Sequence, residues 1–223
     1  MTSRAPSASA VVVRTGVANL ASVMAALERQ GIAPTASTDP DQIAAASLVV
    51  LPGVGTFGEA MSSLRAAGLA DAIAHRVSAG MPLLAICLGL QVLCAESEES
   101  PGVKGLGIVP ARVTRLREGP GVRVPHLGWN TITPTPTFAL ATRGAAHFAH
   151  SYAVEALPPE LEAEGWTVCT CDHGGLFVAA LRRGPLLACQ FHPELSGAWG
   201  AALIRSWADI SNPQEARPCS AGV

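Results

Sequence analysis

In the first hundred residues, short unbroken apolar runs alternate with stretches whose apolar positions recur every three or four residues. The runs at 10–13, 32–36, 48–51 and 82–86 read as strands, and the last two are apolar enough to be buried on both faces. Between them, Leu20, Val23, Met24 and Leu27 mark one face of a helix capped by Asn19 and ended by Gly31. Asp39 and Asp41 open a brief helix over 43–46, helices are predicted over 59–67 and 69–79, and another over 90–95. Strands alternating with helices imply right-handed βαβ units and a parallel sheet. Such sheets place their sites beyond the carboxyl ends of the strands. Here those ends are the loop after Val13, the loop Pro52-Gly53-Val54-Gly55, and Cys87.

After Ser100 the segments become short, β-branched and broken by Gly and Pro. Those at 107–109, 112–114, 122–124, 131–133, 147–154, 166–170, 176–181 and 186–191 read as antiparallel strands. A closing helix is predicted over 198–209. The expected fold is α/β: a mostly parallel central sheet flanked by helices, with an added antiparallel β portion in the C-terminal half. With no repeat and no clear linker, residues 10–210 are expected to form one domain, and 1–9 and 211–223 to be disordered termini.

Composition narrows the class. The chain has 223 residues, 49% of them hydrophobic, and a formal net charge of −2. Basic residues form no block, so nucleic acid is not an expected partner. No apolar run reaches the ~18–20 residues that a membrane span requires. The six cysteines are scattered without a disulfide spacing, which fits a reducing cytoplasm. Cys169-Thr170-Cys171 with His173 has no second corner to complete a metal site, and strand alternation accounts for it better.

The candidate chemistry centres on Cys87. An apolar strand runs into it, Ala85 and Gly89 flank it, and helix-compatible sequence follows: the layout of a nucleophile elbow. Such a turn exposes the sulfur and aims it at a helix N-terminus, whose partial positive charge favours thiolate. Alone, Cys87 reads better as a buried structural cysteine, and it is the distant His192-Pro193-Glu194 that turns the reading. His192, at the end of the apolar run 186–191, supplies a base, and Glu194 folds back across Pro193 to orient it. The backbone at Gly53 and Val54, together with the amide of Leu88, forms a candidate oxyanion hole; by itself that segment is equally an ordinary strand-to-helix turn.

These segments resemble a class I, triad-type glutamine amidotransferase. More narrowly they are similar to the glutaminase subunits of imidazole glycerol phosphate synthase. The resemblance rests on Leu51-Pro52-Gly53-Val54-Gly55-Thr56-Phe57, the elbow with Gln91, Ser97-Glu98-Glu99, Val124-Pro125-His126-Leu127-Gly128-Trp129-Asn130, His150-Ser151-Tyr152 and Gln190-Phe191-His192-Pro193-Glu194, in that order. It implies that Cys87 attacks the side-chain amide of glutamine, that His192 shuttles protons, and that a glutamyl thioester is hydrolysed after ammonia leaves. It implies that Gln91 and Glu99 hold the amino-acid end of the substrate and that the Ser151-Tyr152 backbone meets its carboxylate. It also implies a heterodimeric partner, a (βα)8-barrel cyclase that receives the ammonia, an oxyanion amide at Val54 that turns only on the partner's signal, and no cofactor or metal. Arg14, Asn19, His126, Trp129 and Leu195 fall where the family meets the cyclase. Against the family pattern, the first loop reads Arg14-Thr15-Gly16-Val17-Ala18-Asn19 without its aspartate and tyrosine. Leu195 stands where a lysine is usual, and Ala85 replaces the elbow glycine. Competing expectations are a glutaminase of another synthase, of the pyridoxal phosphate or GMP type, and a non-catalytic regulatory paralogue.

Overall fold

A computed structural model describes residues 8–14 and 19–211. Twelve strands and six α-helices follow in the order β1 (Ala8–Val13), α1 (Leu20–Arg29), β2 (Ile32–Ser37), α2 (Pro40–Ala45), β3 (Leu48–Gly53), α3 (Phe57–Ala66), α4 (Leu69–Ser78), β4 (Leu83–Cys87) and α5 (Leu88–Leu93). Next come β5 (Cys94–Ser97), β6 (Val109–Arg115), β7 (His126–Pro134), β8 (Gly144–His150), β9 (Tyr152–Val154), β10 (Thr167–Asp172), β11 (Leu176–Arg183), β12 (Leu186–Cys189) and α6 (Gly197–Ser211). Nine strands form one sheet in the order β2-β1-β3-β4-β12-β11-β10-β7-β8, and β5-β6-β9 form a second. The five strands from β2 to β12 run parallel and the remaining pairings in the large sheet are antiparallel.

The local chemistry explains these elements. Both faces of β3 and β4 are buried, as their continuous apolar sequence requires. The Asn19 side chain accepts a hydrogen bond from Ser22 N at 3.3 Å and starts α1, and Asp39 does the same for α2 through Asp41 N at 2.9 Å. Thr56 caps α3: its Oγ1 accepts from Glu59 N at 3.4 Å and donates to Glu59 Oε2 at 2.7 Å. Two apolar clusters line the sheet, one including Val12, Leu27, Phe148 and Trp207 and the other Leu51, Phe57, Leu90 and Trp166.

Several boundaries differ from expectation. The helix after Cys87 covers Leu88–Leu93, not 90–95, because Cys94 and Ser97 turn inward on a strand that pairs with β6. The two strands expected at 107–109 and 112–114 are one, and it begins only at Val109; Gly107 takes a φ of 66° and lies outside it. Residues 122–124 form no strand; Gly119 and Val122 close a tight turn around Pro120-Gly121. The 147–154 segment breaks at Ser151 and feeds two different sheets. Strand β12 ends at Cys189 and pairs with β4 in parallel, not only antiparallel with β11. Strand β6 likewise pairs with β5 in parallel. Ala8 and Ser9, expected in a disordered terminus, open β1 and pair with Ile32 and Ala33, and Ser211 closes α6; the rest of the predicted C-terminal tail, residues 1–7 and 15–18 lie outside the described residues.

Candidate active site

Strands β3, β4 and β12 are parallel neighbours, so their carboxyl ends share one edge. Gly53 is in register with Cys87, and Ile86 with Cys189. The chain beyond β12 therefore passes beside Cys87 and reaches His192 three residues later. The placement of His192 is fixed by its backbone: its N–H donates to His147 O at 2.9 Å, and Ser196 Oγ donates to its carbonyl. Ser196 Oγ also accepts from His147 N at 3.0 Å, so one hydroxyl ties β8 to the turn after β12.

Cys87 has φ 55° and ψ −111° and is the only non-glycine residue with positive φ among those described. That strained corner makes the strand-to-helix turn. Two glycines make room for it. A Cβ on Gly89 would stand 2.1 Å from Leu51 O, and one on Gly53 would stand 2.8 Å from Gly89 N. The methyl of Ala85 is wholly buried in an unbroken strand. The sulfur is not exposed as the elbow alone suggested, because Cys87 is only 7% accessible. It lies 3.9 Å from the Ala149 carbonyl of β8.

His192 and Glu194 are bonded through Nδ1 and Oε1 at 2.8 Å, with side chains 12% and 3% exposed. Burial alone depresses the pKa of an imidazole. Here hydrogen bonds and charge from Cys87 and Glu194 outweigh it and raise His192 to about 10. With Nδ1–H given to Glu194, Nε2 is the nitrogen that serves Cys87. Gln91 is buried in α5, and its Nε2 donates to Tyr152 O at 2.9 Å and to Gln190 Oε1 at 3.0 Å. Its Oε1 is left for another donor. The Glu99 carboxylate reaches 42 residues back and accepts from Phe57 N at 2.6 Å, while Ser100 Oγ accepts from Gly58 N at 3.0 Å. Glu99 thus sits at the start of α3, just past the 52–55 loop. Val54 is exposed on that loop, and Leu88 is buried at the start of α5. The Ser151 carbonyl is taken by Leu116 N at 2.9 Å.

The five residues expected at a partner surface separate. Trp129 is 60% exposed, Leu195 is exposed, and the Trp129 ring lies close to Gly197, which makes the two neighbours. Arg14 and Asn19 are exposed on the loop after β1. His126 departs from that expectation. It is 3% exposed, its ring packed between Phe148 and His173, so it presents no surface.

Two contributors were given no role from sequence. Gln190 is fully buried and donates through Nε2 to Cys87 Sγ at 3.7 Å. Its signal was a polar residue in an otherwise apolar run. Ser196, the clamp on His192, gave none. Cys169 and Cys171 are buried on β10, and burial pushes both thiols up to about 12. Among the described residues no group of three His, Cys, Asp or Glu side chains converges to hold a metal, and no helix is long and apolar enough to cross a membrane.

Comparison with known proteins gives the same placement. Imidazole glycerol phosphate synthase subunit HisH of Symbiobacterium thermophilum is 41% identical over 201 residues, covering 88% of this chain and 92% of its own. The protein of that name from Xylella fastidiosa is 41% identical over 203 residues, covering 89% and 96%. Among solved structures, a glutamine amidotransferase matches with a TM-score of 0.71 at 23% identity over 91% of this chain and 98% of its own. The structure of PurLQS from Thermotoga maritima matches at 0.67 and 19% over 91% and 98%. Both are likenesses of fold alone. The sequence model for glutamine amidotransferase class-I matches residues 15–207, and the chain belongs to that family.

Proposed function

We propose that this protein is the glutaminase subunit of an imidazole glycerol phosphate synthase, with residues 10–210 acting as its amidotransferase domain. The observation that carries the reading is the shared edge of β3, β4 and β12, where a strained cysteine meets an imidazole held by a buried carboxylate. The protein works in the cytoplasm beside a (βα)8-barrel cyclase and needs no cofactor for its own step.

The chemistry follows from the groups present. The Cys87 thiolate attacks the side-chain carbonyl carbon of glutamine, and the oxyanion falls to backbone N–H groups at Val54 and Leu88. Gly53 lets that loop approach the elbow. His192, protonated at Nε2, gives its proton to the departing nitrogen, which leaves as ammonia. Water then attacks the thioester, His192 takes its proton, and glutamate and thiolate are released. Gln91 Oε1 and the Glu99 carboxylate hold the substrate ammonium, and the Ser151–Tyr152 backbone meets its carboxylate. The partner seats on the face carrying Trp129, Leu195, Arg14 and Asn19. The missing cation at Leu195 and the added one at Arg14 call for complementary changes in that partner.

The test is ammonia release from glutamine, measured with and without a co-purified cyclase and its nucleotide. Cys87→Ala is expected to abolish glutamine-dependent turnover while the complex still uses added ammonia. Retained glutamine turnover would remove Cys87 as the nucleophile.

A further inference from the structure

A line of hydrogen bonds crosses the protein from the exposed part of β7 to the nucleophile. Asn130 Nδ2 lies 3.2 Å from His126 Nε2, His126 Nδ1 lies 3.2 Å from His150 Nε2, and His150 Nδ1 lies 2.9 Å from Tyr152 O. The same carbonyl receives Gln91 Nε2, Gln91 holds Gln190 Oε1, and Gln190 Nε2 points at Cys87 Sγ.

The direction of each bond follows from what each atom is able to do. A carbonyl only accepts, so His150 carries its hydrogen on Nδ1. His150 and His126 are buried, and the ionisable groups acting on His150 are the bases His126, His173 and His192, with no acid among them. Burial, first, and these neighbours hold His150 down to about 3 and His126 to about 4, so both rings are neutral near pH 7. A neutral His150 with hydrogen on Nδ1 has a bare Nε2. That nitrogen must accept from His126 Nδ1–H, and the bare His126 Nε2 then accepts from Asn130. Every donor points inward toward Tyr152 O, whose two lone pairs are filled. Gln91 spends both amide hydrogens on this arrangement, which turns its Oε1 to the substrate. The fully buried Gln190 is left with an N–H for the sulfur. A hydrogen bond to a thiolate favours the charged form.

We propose that His126 and His150 are positioning residues of fixed tautomer that lock Gln91 and Gln190 through the Tyr152 carbonyl, so that Gln190 supports the Cys87 sulfur with its N–H. This rests on reading Cys87 as the nucleophile.

The ring nitrogens are read directly by 15N NMR of the full chain at neutral pH, where both histidines are expected as Nδ1–H tautomers. An Nε2–H tautomer or an imidazolium at either position overturns the proposal. The reach of the arm is read by alkylating Cys87 with iodoacetamide across pH and following its own peptide. His150→Leu and Gln190→Met are expected to move the alkylation midpoint up by about one pH unit. In the complex they are expected to raise KM for glutamine about tenfold. His150→Asn keeps an amide donor where Nδ1 stood, and is expected to stay within about twofold of wild type. Equal loss in His150→Asn and His150→Leu, or no change in Gln190→Met, overturns the proposal. Should His150→Leu fail to fold, the tautomers and Gln190→Met decide. A failure of the nucleophile reading shows separately, as glutamine turnover that survives Cys87→Ala.

Discussion

Cys87 and Glu194 make their contributions by position more than by type. The positive φ of Cys87 puts its sulfur at the carboxyl edge of β4, and Gly89 is the residue that lets the corner stand against Leu51 O. Glu194 joins the site through its bond to His192 Nδ1. Because its carboxylate helps raise His192, Glu194→Gln is expected to lower that pKa. The alkaline limb of glutamine turnover should then move to lower pH, where the ring no longer holds the proton for the leaving nitrogen, with kcat reduced about tenfold or more. A pH–rate series on the complex checks both. At this scale the meeting of Cys87, His192 and Glu194 was legible, because a cysteine at the end of an apolar strand and a His-Pro-Glu at the end of another need only a parallel sheet to meet. Gln190 and His150 were not assigned roles, because each acts through a contact between strands distant in sequence. The His126 side chain was expected outside and is inside for the same reason: His173, nearly fifty residues on, covers it.

Elements depend on long-range caps that no local pattern reveals. Helix α3 begins on Glu99 and Ser100 as well as on its own Thr56. Glu99→Gln keeps an acceptor for Phe57 N and removes the charge. It is expected to raise KM for glutamine about tenfold with little change in melting temperature. Ser100→Ala removes only the Gly58 acceptor and is expected to cost about 1 kcal/mol in a urea titration. At the other end of the sheet, the guanidinium of the fully buried Arg76 donates to Pro82 O, Ile43 O and Ser47 O at 2.8, 2.9 and 3.0 Å. Burial lowers its pKa to about 10, still charged at neutral pH. Arg76→Met would strand three carbonyls and is expected to cost about 3 kcal/mol with kcat unchanged, since the site lies at the opposite edge. The helix periodicity that predicted α4 placed Arg76 on it without showing that it faces inward. The type of most elements was readable from apolar period; their ends moved by a residue or two in most, by three at the starts of α2 and β8, and by five at the start of β7.

Taken whole, the molecule carries opposing pH dependences. His126 and His150 are held below the ordinary histidine value, so between about pH 4 and 6.5 the unfolded chain binds protons that the folded one refuses. Stability is therefore expected to fall as pH drops through that window, by up to about 1.4 kcal/mol per pH unit for each ring. Melting curves of wild type against His126→Phe check it, the variant giving the shallower acid slope. His192 works in the other direction: it is raised, so its contribution is present below about 6.5 and lost as pH rises toward about 10. At this scale the parallel half was legible from alternation of strand and helix. The course of β7, β8 and β10 was not, because antiparallel order depends on which loops cross and not on the strands themselves.

The backbone bridge between His147 and His192 has a mechanical meaning. It is the stitch by which the outermost strand of the sheet holds the chain that carries His192. That same strand supplies the carbonyl over the sulfur, at Ala149, and pairs with the strand bearing Trp129. The Trp129 hairpin, the carbonyl over Cys87 and the tether of His192 are thus parts of one strand pair, so a body pressed against that hairpin bears on the surroundings of both side chains at once.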